Sequence, residues 1–425
     1  MTSSVVVVGG GIGGLATALS LTRAGQRVTV LEQASSFGEV GAGMQIAPNC
    51  TRILHEWGLL DEVTSLGVLP ERIVMKDAVD GRLLSALDLH DVERRYGFPY
   101  LVIHRSDLHG VLLRACRSAG VDLVTDVTVT GYTSSPTGAT AIHDGGTVPA
   151  DVVIAADGLH SVARRVFSDD EPVSSAYVAY RGAVPIDKVA ELDVHLKDVV
   201  VYVGPRCHLV QYPLRGGEMF NQVAVFESPK AKLGLADWGT PDELDAAFAG
   251  SCPQVRAGLH LMWRDRWWRM FDREPLDTWV TGRLALTGDA AHPPLQYLAQ
   301  GAVMAIEDAW VLGTHAAPSP RPAPDELGPR PASPKLEPHA VQPAPDWDAV
   351  LAAYNAVRPE HCRRVLTTAR SWGEFWHHDG PERAWRNEVL RNRNLYDYSY
   401  VDWLFGPTAL TPDQEPEMFP SGTSV

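Results

Sequence analysis

The chain has 425 residues, 45% of them hydrophobic and 21% charged, which places it among ordinary globular proteins with room for two to three domains at ~150 residues each. A formal net charge of −15 disfavours nucleic acid and anionic membrane surfaces, which would repel it. Five scattered cysteines (Cys50, Cys116, Cys207, Cys252, Cys362) without a C-x-x-C pair exclude a disulfide framework and a cysteine-based zinc site. No metal is expected, and this cysteine usage fits a reducing cytoplasm.

The longest apolar stretch, residues 5–21, is interrupted by five glycines between Gly9 and Gly14 and does not read as a membrane span. No basic segment precedes it, so no secretory leader is expected. Residues 5–8 form a β-branched run, the mark of a strand buried on both faces. After Gly14, Leu15, Ala18, Leu19 and Thr22 recur at helical spacing until Gly25 supplies a stop. Residues 27–31 then form a second strand ending at Glu32, so the chain opens as a βαβ unit of a parallel α/β sheet.

Strands of the same apolar kind recur at 152–156 and 284–286, so this sheet draws on separated pieces of the chain. Between them, residues 199–203, 208–212 and 222–226 alternate in the manner of an antiparallel sheet. Residues 263–269 interleave basic and aromatic side chains. With an acidic total and Asp265 in their midst, they are expected at a domain interface rather than on nucleic acid. Residues 316–345 include ten prolines in thirty positions, the composition of an exposed, flexible connector or of a proline-rich recognition motif. The stretch from 346 to 400 is helical in pattern.

Three motifs carry chemistry. Gly9, Gly11 and Gly14 form G-x-G-x-x-G between a strand and a helix, with Ile12 and Gly13 inside the turn. In that position Gly9 permits the tight turn, Gly11 admits a diphosphate to the backbone, and Gly14 lets helix and strand pack closely. The helix N-terminus offers amides to the diphosphate. Glu32, at the tip of the next strand, can accept from a ribose 2′-hydroxyl and would repel a 2′-phosphate. Asp157-Gly158 follows a second buried strand and is expected to lead into a helix bearing Arg164 and Arg165. Gly288-Asp289-Ala290-Ala291-His292-Pro293 follows a third strand; Asp289 can hold a polyol hydroxyl, and Gly301 and Ala302 open a helix whose amides face an electron-rich oxygen. Each of the last two alone could be no more than a helix cap.

With Gly41-Ala42-Gly43-Met44-Gln45 and His104-Arg105-Ser106-Asp107-Leu108, these motifs make the chain resemble the flavoprotein aromatic hydroxylases, the single-component FAD monooxygenases, over nearly everything except the proline-rich insertion. Within that family it looks closest to the branch that hydroxylates 3-hydroxybenzoate at position 6. The resemblance implies a discontinuous Rossmann-like FAD domain (1–72, 98–170 and 272–315), an inserted α+β substrate domain with an antiparallel sheet (73–97 and 171–271), the insertion (316–345) and C-terminal helices (346–425). It implies that Gly9, Gly11, Ile12, Gly13, Gly14, Glu32, Gln33, Gln45, Arg105, Val127, Asp157, Asp289, Gly301 and Ala302 serve FAD, with Asp157 also near the nicotinamide donor. NADH or NADPH and O2 are the expected co-substrates, a small aromatic acid the expected substrate, and a cytoplasmic homodimer the expected assembly.

On the substrate side, His208 and Tyr212 lie four apart in one strand and share a face, with Val210 between them and Cα atoms ~13 Å apart. Their bland reading is a buried pair satisfied by backbone; the resemblance instead puts His208 at the family's substrate-side histidine. Gln296 stands where the broader family carries a proline and can present an amide to substrate, and Tyr100 is a further pocket candidate. Aromatic hydroxylation needs an electrophilic oxygen, which the family carries as the flavin C4a-hydroperoxide, and a ring activated as phenolate. With an ordinary pKa of ~6.5, His208 is the expected base, and Tyr212 and Gln296 the groups that orient the ring. The expected product from 3-hydroxybenzoate is gentisate. Rival expectations are a salicylate hydroxylase that releases CO2 and gives catechol, a tailoring phenol hydroxylase, a flavin dehydrogenase or oxidase, and a non-catalytic flavin sensor.

Overall fold

The computed structural model describes residues 2–38, 41–189, 194–317 and 344–411. Its first sheet has six strands in the order Val280–Thr281, Leu284–Leu286, Val152–Ala155, Ser4–Val8, Arg27–Leu31, Asp122–Val124. All neighbours are parallel except the edge strand Val280–Thr281. Val5 to Val8 are buried because both faces are covered. The helix Ile12–Arg23 packs on Gly301–Ala316 and Arg105–Ala119. A three-stranded antiparallel meander (Val129–Ser135, Gly138–His143, Gly146–Ala150) also packs against the strands Ser4–Val8 and Val152–Ala155.

A second sheet has seven strands, ordered Trp268–Asp272, Val173–Pro185, Met219–Glu227, Cys207–Leu214, Asp198–Gly204, Arg72–Asp77, Leu83–Asp88. Its pairings are antiparallel save that between Asp198–Gly204 and Arg72–Asp77. The alternating stretches are strands of this largely antiparallel sheet, and Asp198–Gly204 and Cys207–Leu214 are buried at every position. Leu209, Ala224 and Phe226 pack on Leu244, Phe248, Val255 and Leu259 of the short helices Pro241–Ala247 and Pro253–Leu259, and the opposite face closes a cavity. The fold class is therefore mixed α/β with a parallel and a largely antiparallel sheet.

Three local expectations are corrected. Asp157 leads only into the 3₁₀ turn Ala163–Val166, because Arg164 is buried there, paired with Asp170 and donating to the carbonyls of Ala290, Ala291 and Glu274. Those distant bonds hold the segment to one turn. Trp268 and Arg269 of the basic–aromatic segment belong to the edge strand Trp268–Asp272 of the second sheet, with Arg264 paired to Asp245 and Arg269 over the Trp238 ring, so the segment braces its own sheet. The helix that opens at Gly301, for which the sequence pattern predicts an end at Ala309, runs seven residues further, to Ala316.

Residues 318–343 of the proline-rich stretch lie outside the described residues. Beyond it the helix Trp347–Trp376 starts under Asp346, whose carboxylate accepts from the Asp348 and Ala349 amides, and packs on Gly301–Ala316. Gly380–Asn392 and Ser399–Phe405 follow and add to the cavity wall. Among the described residues no helix is long and apolar enough to cross a membrane.

Candidate active site

A cavity of about 1000 Å³ lies between the C-terminal ends of the parallel strands and one face of the seven-stranded sheet, at the top of the range of ~300–1000 Å³ common for ligand pockets. The parallel strands deliver their motifs there because the strand ends Val8, Leu31, Ala155 and Leu286 all open on the same side, the usual ligand side of such sheets.

At the glycine turn, Gly9 has φ +107° and a Cβ there would meet the Ala156 carbonyl oxygen at 2.3 Å; one on Gly14 would meet the Gly9 oxygen at 1.9 Å. Gly14 thus packs helix against strand and does not line the cavity, whereas Gly9, Gly11, Ile12 and Gly13 do. Glu32 accepts from the Gly10 amide at 2.7 Å and from the Ala34 amide at 2.8 Å, so its carboxylate is pinned toward the turn. Gln33 and Val127 line the cavity beside it. His109, which the motif reading missed, bonds the Gly10 carbonyl at 2.8 Å.

Asp157 uses Oδ2 on Tyr132 and on the Val162 and Ala163 amides, while its Oδ1 is buried without a partner among the described residues. Asp289, Gly301, Ala302 and Arg105 line the same cavity. Tyr100 and Gln45 do so together, the Tyr100 hydroxyl donating to Gln45 Oε1 at 2.7 Å.

His208, Val210 and Tyr212 all face the cavity, and Gln296 reaches it from the turn Gln296–Leu298. A Cβ on Gly43 would meet the Tyr212 ring at 2.5 Å, so Gly43 makes room for this side chain. His208 is 1% exposed and held by the edge of Trp376 at 5.1 Å and by Tyr297 at 5.5 Å. Its pKa is not the ordinary histidine value expected from sequence: burial without an acidic partner pushes it down to about 3. Burial also raises the Tyr212 pKa above the usual phenol value, although Arg181 opposes the shift.

Two further residues, on the substrate side, were missed. Arg181 lines the cavity, stacks over Trp268 at 5.5 Å, and pairs with no carboxylate among the described residues; burial lowers its pKa. An arginine inside an otherwise apolar strand was the available signal. His377 lies 2.8 Å from His208, across 169 residues of chain, a contact no local pattern announces.

Residues 2–326 match the FAD binding domain family. The chain is 35% identical over 407 residues to 3-hydroxybenzoate 6-hydroxylase from Polaromonas naphthalenivorans, covering 95% of each. It is also 35% identical over 409 residues to a 3-amino-4-hydroxybenzoate 2-monooxygenase from Streptomyces platensis, again covering 95% of each. Among solved structures, a salicylate hydroxylase substrate complex superposes with TM-score 0.73 at 25% identity, covering 95% of each chain. Klebsiella pneumoniae HpxO, complexed with FAD and uric acid, shares the fold with TM-score 0.77 at 24% identity over 94% of each chain. A strand-end glycine turn, pinned carboxylates and a deep shared cavity are what this likeness predicts, and the chain belongs to the FAD-dependent flavoprotein aromatic hydroxylases.

Proposed function

We propose that this chain hydroxylates 3-hydroxybenzoate at the carbon para to its hydroxyl, giving 2,5-dihydroxybenzoate (gentisate), with NADH or NADPH and O2 as co-substrates. One observation carries the reading: His208, Tyr212 and Gln296 line the same cavity as the glycine turn, Glu32, Asp157 and Asp289. The residues fit FAD, since the turn has no room for side chains at Gly9 and Gly14 and the orphaned Asp157 Oδ1 calls for a polar ligand atom. Gly9, Gly11, Ile12 and Gly13 would hold the diphosphate, with Gly14 packing the helix behind them. Glu32, Gln33 and Val127 would take the adenosine side, Arg105 a phosphate, and Asp289 the ribityl chain. Gln45, Gly301 and Ala302 would meet the flavin, and Asp157 would also serve the nicotinamide donor. When bound, FAD passes reducing equivalents from the nicotinamide donor to O2 and supplies an electrophilic oxygen.

The chain's own residues prepare the ring. Burial holds His208 neutral, so its cavity-side nitrogen is available to take the phenol proton. The attraction between the phenolate and the imidazolium formed beside it offsets part of the cost of charging a buried ring. Tyr212, held protonated by burial, donates to a polar substituent, and Gln296 fixes the ring's other edge. Arg181 provides the counter-charge for a carboxylate, which supports an aromatic acid over a neutral phenol. The apolar walls at Val201, Val210 and Val223 exclude water from the reacting carbon.

The domain division that accompanies this reading is 1–72, 98–170 and 272–315 for FAD, and 73–97 with 171–271 for substrate. Five free, buried cysteines support a reducing cytoplasm, and sedimentation tests the homodimer included in this reading. The deciding experiment is NADH consumption with product identification across hydroxybenzoates. Gentisate formed nearly one-for-one with NADH from 3-hydroxybenzoate supports the reading. Catechol from salicylate, or turnover of 3-amino-4-hydroxybenzoate, at higher kcat/KM overturns it, and oxidation without a nicotinamide donor removes the monooxygenase reading altogether.

A further inference from the structure

We propose that His377 is the second member of a two-histidine proton relay that carries the phenol proton from His208 to solvent; this rests on the hydroxylation reading above. The geometry is specific. His208 Nδ1 lies 2.8 Å from His377 Nε2, the ring planes are within 22° of each other and the ring centroids are 5.1 Å apart, a separation that sets the rings edge to edge, so the contact is an in-plane hydrogen bond. One nitrogen of that contact must carry hydrogen and the other must not. If His208 is to accept the phenol proton at Nε2, its hydrogen sits on Nδ1 and is donated to His377 Nε2. His377 then carries its own hydrogen on Nδ1.

The protons balance. The phenol O–H breaks as an N–H forms on His208 Nε2. The Nδ1–H of His208 passes to His377 Nε2, and the Nδ1–H of His377 leaves to water. Each imidazole ends neutral in its other tautomer, and the reverse passage reprotonates the product phenolate and resets both rings. The relay meets a need the site creates: burial leaves His208 a weak base with no carboxylate beside it, so a proton that stays there is costly. Export through His377, which retains 7% exposure, removes the proton without admitting water at the reacting carbon.

The surroundings of His377 hold it for this task. It caps the C-terminus of Trp347–Trp376, where the helix dipole favours a passing positive charge. Its carbonyl accepts from the Arg206 amide at 3.0 Å, which ties the helix end to the turn just before His208. Tyr177 stacks on its ring at 4.6 Å, and Tyr297 stands edge-on at 5.5 Å. The ionisable groups around the pair are Arg386 from Gly380–Asn392, Glu374 from its own helix, Glu227 and Arg206 beside Tyr177, and Asp272 beside Tyr297. Burial, His208 and Arg386 lower the His377 pKa, so it passes the proton on rather than storing it.

The test uses the FAD-loaded full chain. 3-Hydroxybenzoate is mixed with wild type, His377→Phe, His377→Gln and His208→Phe in weak buffer with an indicator dye, while the ultraviolet band of the bound phenolate is followed. His377→Gln can keep a hydrogen bond to His208 yet cannot carry a proton. Both His377 variants should retain FAD content and bind 3-hydroxybenzoate within about threefold of wild type, while proton release and kcat fall on the order of 10-fold or more. The acid side of the kcat–pH profile should also change shape in both. Wild-type proton release and an unchanged pH profile in His377→Gln would overturn the relay, whatever the fate of the phenylalanine variant. A wild-type enzyme that neither ionises nor turns over 3-hydroxybenzoate would instead overturn the substrate reading, before the variants are compared.

Discussion

His292 and His208 are each 1% exposed, yet the protein holds them in opposite states. His292 sits in an ion-pair network on its Nε2 side, while its Nδ1 is buried without a hydrogen-bond partner among the described residues. Its Nε2 lies 2.6 Å from Asp308, which also accepts from Thr287 and the Gly288 amide and pairs with Arg358, itself bound to Glu307. Burial works against an imidazolium there, but Cys362 and the Asp308 carboxylate outweigh it and raise its pKa well above the ordinary value. His292, Asp308 and Cys362 stand close enough to suggest a metal group, but Asp308 is already engaged by four protein partners. His208 meets His377, Tyr297 and Trp376 and pairs with no carboxylate among the described residues, so burial goes unopposed and keeps it neutral. Equal burial therefore says nothing about charge; the partner decides it. The first arrangement ties the Gly288 turn to two helices, and the second leaves a nitrogen available to a ligand.

The largest expected effect comes from breaking the ion-pair side. Arg358→Met strands two buried carboxylates and should cost about 3–5 kcal/mol, read as a lowered urea midpoint. A midpoint equal to wild type would mean the network is not what secures that turn. On the other side, His208→Phe should leave FAD content intact while hydroxylation falls ~10²–10⁴-fold, and the deficit should shrink as pH rises toward the phenol's own pKa. If the loss is the same at every pH, His208 shapes the pocket and takes no proton.

A milder probe is stability against pH, where the two histidines have opposite signs. The depressed pKa of His208 gives stability that is complete above the unfolded value of ~6.5 and is lost as pH falls toward about 3. The raised pKa of His292 gives stability present below ~6.5 and lost as pH rises through its elevated folded value. Melting curves of His208→Phe should accordingly show a shallower acid slope than wild type, and an identical slope would contradict the buried, neutral assignment. The smallest effect is expected for Gln296→Ala: a few-fold more peroxide per NADH consumed, or mixed products, with FAD content unchanged. Full coupling in that variant would place Gln296 away from the substrate.

The cofactor side of the molecule was legible from the chain because its rules are local. A β-branched run, a glycine turn and an amphipathic helix within thirty residues define a βαβ unit, and the observed strands Ser4–Val8 and Arg27–Leu31 match the expected ones within one residue. Glycine positions could be argued individually, since a Cβ at Gly9 or Gly14 collides with backbone only a short way along the chain or across one strand pairing. Period-two alternation likewise set His208, Val210 and Tyr212 on one face before their surroundings were known.

What tertiary structure alone decided is what those side chains meet. The second sheet is buried on both faces because two short helices cover its outer side, and Asp157 leads only into a 3₁₀ turn because Arg164 is engaged by distant carbonyls. The shift of His208 to about 3 arises from desolvation, a sum over everything packed around the ring, and its hydrogen-bonding partner His377 arrives from 169 residues away. Arg181 is an ordinary arginine in sequence and becomes a cavity cation only when its strand is enclosed. Backbone geometry and side-chain period are properties of neighbouring residues and can be read in order. Dielectric environment and hydrogen-bond partners belong to the assembled interior, and they set the chemistry of the site.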